Sequence, residues 1–265
     1  MPIKVPDNLP ALRALRAESV DIMPQKQAVR QDIRPLRLLL LNLMPKKRDT
    51  EIQFARLFGN TPLQVEMILM TTASYTPQNT ESGYLRRFYR QLDDVRDDYF
   101  DALIITGAPI ETLPFEDVKY WVELTEIMEW SREHCFRRLG ICWGAQALLW
   151  HFHKVQKYEL KLKLFGIFEH HLRDVSGRLM HGFTDQFPMP ASRYTMNRSE
   201  DLMAAGLNVL AEGGKCGAGM VRHPNTGDLF VFNHLEYDAT TLGDEYQRDL
   251  SAGLNTALPE NYFPN

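Results

Sequence analysis

The chain has 265 residues, of which 44% are apolar, so it is long enough for one sizeable domain or two small ones. Thirty basic and thirty-four acidic side chains leave a net charge of −4, which does not favour a nucleic acid partner. No apolar run reaches the length of a membrane span, and the first residues lack the apolar stretch of a secretory signal. We therefore expect a cytoplasmic protein that does not bind membranes.

The first predicted segment, residues 1–34, is an arm laid over the body of the protein. It is interrupted by several prolines, and its apolar pattern supports one short helix around residues 9–18. Residues 35–265 are predicted to form a single domain around one core.

Within this domain, predicted strands alternate with predicted helices. The strands are residues 36–43, 63–70, 100–106 and 137–141, and the helices are residues 49–58, 85–92, 117–134 and 145–152. Such alternation predicts an α/β fold, whose mainly parallel sheet is covered by helices on both faces and carries its active site at the carboxyl ends of the strands. Residues 158–171 are compatible with a strand pair or a surface loop, and the glycine-rich residues 213–219 with a turn between strands.

Cys142 lies at the junction of a predicted buried strand and a predicted helix, within the segment GICWGAQ at residues 140–146. A cysteine at such a junction is displayed beside helical N–H groups, which favour a thiolate. Glycines at positions 140 and 144 suit the cramped turn of a nucleophile elbow. Cys142 is therefore the candidate nucleophile, although by itself it is equally consistent with an inert thiol in the core.

A candidate base follows a second apolar run, residues 229–232. If residues 233–236 continue this run as a strand, His234 and Glu236 point to the same side and can form a base and the carboxylate that orients it. A His-x-Glu sequence alone is weak evidence, but together with the cysteine elbow it indicates a nucleophilic site.

The remaining cysteines and histidines do not indicate a metal site. The three cysteines of the chain are far apart and have no metal-ligand spacing. Histidines two apart on a helix point away from each other, and an adjacent pair cannot easily face one ion. The four histidines concerned are His151, His153, His170 and His171.

The elbow and His234-Leu235-Glu236 together resemble the class I glutamine amidotransferase-like fold, which is flavodoxin-like. Further stretches resemble the MetA family of homoserine O-acyltransferases over nearly the whole chain. They are Asn42-Leu43-Met44-Pro45-Lys46-Lys47 with Thr50-Glu51, Phe100-Asp101 to Gly107-Ala108-Pro109, and Asn261-Tyr262-Phe263-Pro264.

This resemblance implies acyl transfer from an acyl-coenzyme A through a thioester on the cysteine, without a further cofactor, by a homodimer. His234 would take and return the proton, and Glu236 would hold the imidazole. Lys47 matches a family lysine near the nucleophile, where a cation favours a thiolate and a developing oxyanion, and the backbone amide of Trp143 is an expected oxyanion donor.

Three further positions match substrate-contacting residues of the family: Lys163, Ser192 and Arg248. An arginine is a suitable partner for the carboxylate of an amino acid, because its two parallel N–H groups match the two oxygens. On the sequence alone, each of these three would be an ordinary surface residue.

Glu111 indicates the acyl donor through the same resemblance. Family members with glycine at this position resemble succinyl users, and those with glutamate resemble acetyl users. A glutamate fills the space and places negative charge where a succinyl carboxylate would lie. We therefore expect acetyl-CoA as the donor.

The chain departs from the family pattern at several positions. Leu235 replaces a usual proline, Ala191 a usual histidine, residues 153–157 differ from the usual Gly-Ile-Pro-Lys, and the family continues beyond the Asn-Tyr-Phe-Pro near the end of this chain. The acceptor therefore remains open between L-homoserine and L-serine, because one methylene contributes only about 1–3 kcal/mol of discrimination. Glutamine hydrolysis for a partner synthase, or a non-catalytic binding module, are the alternative functions.

Overall fold

The computed structural model describes residues 3–18, 20, 22–28, 34–75, 79–173 and 178–264. The chain divides into two units, Met1–Pro109 with Phe115–Arg138 and Ile110–Pro114 with Leu139–Asn265. The elements of the first unit are β1 (Ile3–Val5), α1 (Ala11–Ala17), β2 (Ile22–Pro24), α2 (Gln25–Ala28), β3 (Leu36–Leu41), α3 (Lys47–Gly59), β4 (Val65–Met70), α4 (Ser82–Phe88), β5 (Tyr89–Arg90), α5 (Leu92–Val95), β6 (Phe100–Ile105), a 3₁₀ turn (Phe115–Asp117) and α6 (Trp121–His134).

Strand β7 (Cys135–Ile141) begins in the first unit and ends in the second. The remaining elements of the second unit are α7 (Trp143–His153), β8 (Tyr158–Leu172), a 3₁₀ turn (Arg178–Met180), β9 (Gln186–Met196), α8 (Ser199–Ala204), β10 (Asn208–Gly213), β11 (Gly217–Arg222), β12 (Leu229–Val231) and α9 (Thr241–Ser251).

The sheet of the first unit has the strand order β2-β1-β4-β3-β6, and β5 pairs with β4 beyond the end of β1. These pairings are parallel. The last three residues of β3, Leu39, Leu40 and Leu41, are consecutive apolar residues that are all buried, which fits a strand covered on both faces. Helix α6 buries Leu124, Ile127, Met128 and Ser131, which recur at helical spacing. The predicted α/β class is thereby confirmed.

The predicted arm contributes strands to this sheet, since β1 pairs with both β2 and β4. Its short helix is confirmed as α1, whereas β1 and β2 were not predicted. The prediction of a helix over residues 85–92 was partly wrong, because α4 ends at Phe88 and the chain then extends as β5. The boundary at residue 34 and the single domain over residues 35–265 stay predictions.

The sheet of the second unit has the strand order β7-β12-β11-β10-β8-β9. Strand β12 is parallel to β7, and the remaining pairs are antiparallel. Residues 158–171 lie in one long strand rather than in a strand pair or a loop, and the predicted turn at residues 213–219 is confirmed between β10 and β11.

Candidate active site

Cys142 occupies the tight turn between β7 and α7. Its backbone has φ 50° and ψ −115°, a region that residues with a side chain rarely adopt. Its N–H donates to the carbonyl of Val231 at 2.7 Å, which ties the turn to the neighbouring strand β12. Strained backbone held by its surroundings is frequent at functional sites. The elbow predicted at the start of α7 is therefore present.

Gly140 makes this turn possible because the backbone of α7 passes directly over it. A Cβ built at position 140 would lie 2.4 Å from Cα of Ala145 and 2.6 Å from its N. These are backbone atoms of a helix, so they cannot move aside as a flexible side chain would. The requirement for glycine at this position is thus a requirement for close packing of strand and helix.

His234 and Glu236 form the pair expected from the sequence. Nδ1 of His234 lies 2.7 Å from Oε1 of Glu236, and both side chains are buried. The reason given from the sequence was wrong, however, because β12 ends at Val231 and residues 233–236 form a turn rather than a strand. The turn is held in place by the N–H of His234, which donates to the carbonyl of Pro190 at 2.9 Å.

The His234 ring also makes a side-chain hydrogen bond with Cys142. Burial opposes the charged imidazolium and is the largest single influence on the pKa of His234. The negative charges of Glu236 and of Cys142 as a thiolate, with their hydrogen bonds, outweigh it, so that pKa lies well above its ordinary value. The arrangement around the His234 ring therefore favours its charged, imidazolium form.

Tyr237 connects this pair to a second group of side chains. Its ring stacks on that of His234, with the centroids 4.1 Å apart and the planes 15° apart, and its hydroxyl donates to Oε1 of Glu245 at 2.8 Å. Burial, followed by the charges of Glu245 and Glu236, holds the pKa of Tyr237 well above its usual range. The phenol therefore remains a hydrogen-bond donor at neutral pH.

The three predicted substrate-contacting residues gather around two acids of α9, Glu245 and Asp249. Ser192 Oγ donates to Oε2 of Glu245 at 2.5 Å. Lys163 Nζ lies 2.9 Å from Oδ2 of Asp249 and 3.7 Å from Oε2 of Glu245, and Arg248 donates to Oδ1 of Asp249 from Nη2 at 2.7 Å and from Nε at 3.0 Å. The structure therefore brings these three residues into one cluster.

The charge on Asp249 follows from this cluster. Burial alone would raise the pKa of the Asp249 carboxyl, but the hydrogen bonds from Lys163 and Arg248 lower it below its ordinary value. Sequence reasoning missed Glu245, Asp249 and Tyr237. The spacing of Glu245, Arg248 and Asp249, three and four residues apart, is a signal that these side chains share one face of a helix.

Glu111 lies beside the same part of β9. Its Oε1 accepts a hydrogen bond from the backbone N–H of Tyr194 at 3.2 Å. Lys157 Nζ donates to the backbone carbonyls of Glu111 and Leu113 and thereby holds this loop. Tyr194 lies two residues beyond Ser192, so the Glu111 side chain approaches β9 close to the Ser192 cluster.

Lys47 and Trp143 are both buried at the start of helices. Lys47 is the first residue of α3 in the first unit, and its Nζ donates to the carbonyl of Asn42. Burial lowers its pKa to about 8, against the opposing charge of Glu51. Trp143 is the first residue of α7 and is 0% exposed.

Cys216 and His170 form a second cysteine–histidine contact. Its histidine is neutral, whereas His234 favours the charged form. His170 Nδ1 donates to the carbonyl of Phe168 at 2.8 Å, so Nε2 carries the lone pair that accepts from Asn233 Nδ2 at 2.8 Å. Cys216 Sγ lies 3.1 Å from the same Nε2. Burial lowers the pKa of His170 to about 4 and raises that of Cys216, so both groups are neutral at pH 7.

In the described part of the chain, no group of three or more His, Cys, Asp or Glu side chains could hold a metal ion. Nor is any helix there long and apolar enough to span a membrane.

Solved structures with a similar fold include glutamine amidotransferases. One from Thermotoga maritima is similar with a TM-score of 0.59 and 13% identity, covering 83% of this chain and 86% of that one. Another, from Methylobacillus flagellatus, gives a TM-score of 0.54 and 12% identity, covering 88% of this chain and 82% of that one. At these identities the likeness shows the fold, which is the predicted class I glutamine amidotransferase-like fold.

Sequence comparison gives the family. The chain matches the family described as HTS: Homoserine O-succinyltransferase over residues 2–265. Two relatives named homoserine O-acetyltransferase are 51% identical in Synechococcus elongatus and 49% identical in Brevibacillus brevis, each over 100% of this chain and over 89% and 87% of the relative. The resemblance seen in the sequence is thereby confirmed: the chain belongs to the homoserine O-succinyltransferase family and is an acyltransferase.

Proposed function

We propose that this protein transfers an acetyl group from acetyl-CoA to the side-chain hydroxyl of L-homoserine through a thioester on Cys142. The observation that carries the proposal is the position of His234, which is hydrogen-bonded to Cys142 on one side and to Glu236 on the other. A thiol next to a base that a carboxylate orients is the arrangement of a cysteine nucleophile.

In the first half-reaction, the Cys142 thiolate attacks the carbonyl carbon of acetyl-CoA. The tetrahedral intermediate collapses, the bond to the CoA sulfur breaks, and the imidazolium of His234 gives its proton to that sulfur. The products are free CoA, a neutral His234 and an acetyl thioester on Cys142. The strained elbow supports this role because it presents the sulfur at the start of α7, where helical N–H groups favour negative charge.

In the second half-reaction, the neutral His234 takes the proton of the acceptor hydroxyl while that oxygen attacks the thioester. The carbon–sulfur bond then breaks, Cys142 leaves as a thiolate, and the imidazolium is restored. Glu236 favours this end state, since its charge raises the pKa of His234. The acyl group moves from sulfur to oxygen with no net change in protonation of the enzyme.

The cluster around α9 is the proposed acceptor site. Arg248 is 55% exposed at its side chain, and its guanidinium is fixed by two hydrogen bonds to Asp249, so it is oriented yet accessible to a substrate carboxylate. Lys163 and Ser192 are the further proposed contacts. The path from Ser192 through Glu245 and Tyr237 to the ring of His234 supports an acceptor bound beside the base.

Acetyl-CoA is the proposed donor for two reasons. The two relatives described above are named homoserine O-acetyltransferase. Glu111 adds volume and a carboxylate, which would disfavour a donor that ends in a second carboxylate. We further propose that the backbone amide of Trp143 stabilises the oxyanion; the role expected of Lys47 stays a prediction.

A purified-enzyme assay that follows release of free thiol tests the proposal. With acetyl-CoA, L-homoserine should give a higher kcat/KM than L-serine, and intact mass analysis without acceptor should find one acetyl group, absent in Cys142→Ala. A higher kcat/KM with L-serine than with L-homoserine would identify L-serine as the acceptor. A Cys142→Ala variant with full activity would exclude the thioester, and glutaminase activity without acyl transfer would exclude the function. The expected homodimer and cytoplasmic location stay predictions.

A further inference from the structure

His234 lies on a short segment that follows β12 and is anchored on both sides of Asn233. The N–H of Phe232 donates to the carbonyl of Gly219 in β11 at 2.9 Å, and the N–H of His234 donates to the carbonyl of Pro190 in β9 at 2.9 Å. Asn233 lies between these two anchored residues and is 0% exposed. The backbone that carries His234 is therefore held by contacts with β9 and β11 and passes through a buried asparagine.

A buried arginine holds the same segment. Arg193 in β9 is 2% exposed, and it donates from Nη1 to the carbonyl of Phe232 at 3.2 Å and from Nη2 to the carbonyl of Cys216. It thereby ties the residue before Asn233 to the turn between β10 and β11.

The side chain of Asn233 is oriented by His170. Its Nδ2 donates to Nε2 of His170 at 2.8 Å. Its Oδ1 is buried and has no hydrogen-bond partner within the described residues. Among those residues, the bond to His170 is thus the one that fixes this amide, and His170 supplies the acceptor.

His170 is itself held so that Nε2 remains an acceptor. Its Nδ1 donates to the carbonyl of Phe168 in the same strand, β8, at 2.8 Å, which assigns the proton of the neutral ring to Nδ1. His170 is 0% exposed, and burial lowers its pKa to about 4, so the ring is neutral at pH 7. The lone pair of Nε2 is therefore available to Asn233.

The ring of His170 lies directly against the backbone of β11 at Gly219. A Cβ built at position 219 would lie 2.4 Å from Cδ2 and 2.7 Å from Nε2 of His170. Gly219 is also the residue whose carbonyl anchors Phe232. The ring and the segment that carries His234 therefore meet at the same residue of β11.

We propose that His170 is a positioning residue for the proposed base: through Asn233 it fixes the turn that directs the His234 ring towards Cys142 and Glu236. This rests on the proposed function, in which His234 moves the proton in both half-reactions. An imidazole suits this task because it donates at one nitrogen and accepts at the other, and so connects the backbone of β8 to Asn233. An apolar side chain at position 170 would leave the buried Asn233 amide without an acceptor, which is unfavourable.

The test is the rate of Cys142 acetylation by acetyl-CoA without acceptor, followed by intact mass analysis of quenched samples. His170→Leu should slow acetylation at least about tenfold, because a misplacement of about 1 Å can cost about a hundredfold in rate. The final extent of acetylation should not change, whereas partial unfolding would lower it. His170→Gln, whose Oε1 can accept from Asn233, should restore most of the rate. Acetylation of His170→Leu at the wild-type rate, or of His170→Gln as slowly as His170→Leu, overturns the proposal.

Cys216→Ala is the matched control. It removes a side chain that lies 3.1 Å from the same Nε2 and leaves the bond between His170 and Asn233 in place. It should lower stability in urea, because it leaves a small cavity, and should acetylate at a rate close to that of the wild type. If Cys216→Ala slows acetylation as much as His170→Leu does, the effect is one of packing and the proposal is overturned.

A second measurement leaves His170 in place. Asn233→Ala should slow acetylation of Cys142 by about the same factor as His170→Leu. The double variant should be no slower than either single variant, because both substitutions remove one hydrogen bond. Effects that multiply in the double variant would mean that the two residues act independently, which overturns the proposal.

His234→Ala distinguishes failure of this proposal from failure of the proposed function. If His234→Ala slows acetylation of Cys142 and His170→Leu does not, the positioning role alone is wrong. If His234→Ala acetylates at the wild-type rate, or if Cys142 of the wild type is not acetylated, the proposed function is wrong and this proposal is overturned with it.

Discussion

The ring of His234 lies against the ring of Tyr237, 4.1 Å between centroids, and the Tyr237 hydroxyl donates to Glu245. The second oxygen of Glu245 accepts from Ser192. A continuous path of contacts therefore leads from the proposed base to a proposed acceptor contact. Displacement of Glu245 by a bound acceptor would be transmitted to the His234 ring, which we propose removes the acceptor's proton.

Tyr237→Phe tests this path because it keeps the ring stack and removes only the hydroxyl. A hydrogen bond to a charged group contributes about 1.5–3 kcal/mol, so we expect KM for the acceptor to rise at least about tenfold. The rate of Cys142 acetylation by acetyl-CoA should not change, since it does not involve the acceptor. Steady-state kinetics and the pre-steady-state burst of CoA separate the two effects.

Tyr237→Leu is the matched variant, because it removes the stack as well as the hydroxyl. We expect it to slow acetylation of Cys142 in addition to raising KM. If Tyr237→Phe slows acetylation as much as Tyr237→Leu does, the hydroxyl acts on the base itself and the path to the acceptor site is not the explanation.

Glu111→Gly should relax the preference for acetyl-CoA. The substitution removes both the volume and the charge that we propose to exclude a succinyl group, so the ratio of kcat/KM for succinyl-CoA to that for acetyl-CoA should rise at least about tenfold. Glu111→Gln keeps the volume and an oxygen that can accept from Tyr194 N–H. If charge is the main factor, Glu111→Gln also raises the ratio; if volume is, only Glu111→Gly does. A wild-type enzyme that already prefers succinyl-CoA contradicts the proposal.

The elements that could be predicted from the sequence are those with a local signal. Cys142 could be found because the small residues of the elbow and the strand before it are contiguous in the chain. The core strands β3 and β6 could be found because each ends in four consecutive apolar residues, residues 38–41 and 102–105. The His234–Glu236 pair was found for a reason that the structure does not support, since a turn, rather than a strand, directs both side chains to each other.

The parts that were missed depend on contacts between distant segments. Burial of Arg193 is not visible in its neighbours, because the surrounding sequence Ala-Ser-Arg-Tyr is as polar as that of an exposed strand. The role of Asp249 depends on Lys163, which is 86 residues away and belongs to β8. The strands of the arm, β1 and β2, are three residues each, and so short a segment carries too few positions for a periodic pattern.

Lys47 leads to a prediction about the alkaline limb of the activity profile. Burial lowers its pKa to about 8, so the ammonium is mostly charged at pH 7 and loses its proton as the pH rises through 8. If this charge stabilises the oxyanion, kcat/KM should fall above about pH 8. Lys47→Arg should move that fall to higher pH, because guanidinium stays protonated. If circular dichroism shows that Lys47→Arg is folded and kcat/KM still falls at the same pH, the fall is caused by the titration of another group.

Gly140→Ala should destabilise the second unit. Its new Cβ would lie 2.4 Å from Cα of Ala145, so strand and helix must separate, and overpacking of this kind costs about 1–3 kcal/mol or more. Urea unfolding measures the loss. Gly214→Ala is the control, because a Cβ at that position meets nothing within 4 Å and should change stability by less than about 1 kcal/mol. Equal stability of the two variants would mean that the elbow is not closely packed.

The stabilising contribution of neutral His170 should be lost in acid. Its pKa is about 4 in the folded protein and about 6.5 when unfolded, so between these values the unfolded chain binds a proton that the folded chain does not. The stability that the neutral His170 contributes is therefore fully present above about pH 6.5 and is lost as the pH falls towards 4. The loss for this one group is on the order of 3 kcal/mol.

The contribution of His170 can be isolated by comparing wild type with His170→Gln at pH 7.5 and pH 4.5 by urea unfolding, because the carboxyl groups that titrate in acid are common to both. The advantage of the wild type should be largest at pH 7.5 and should shrink at pH 4.5. A constant difference between wild type and His170→Gln at both pH values would mean that His170 is protonated in the folded protein at pH 4.5, and its Nε2–H would then have to donate to the side-chain oxygen of Asn233.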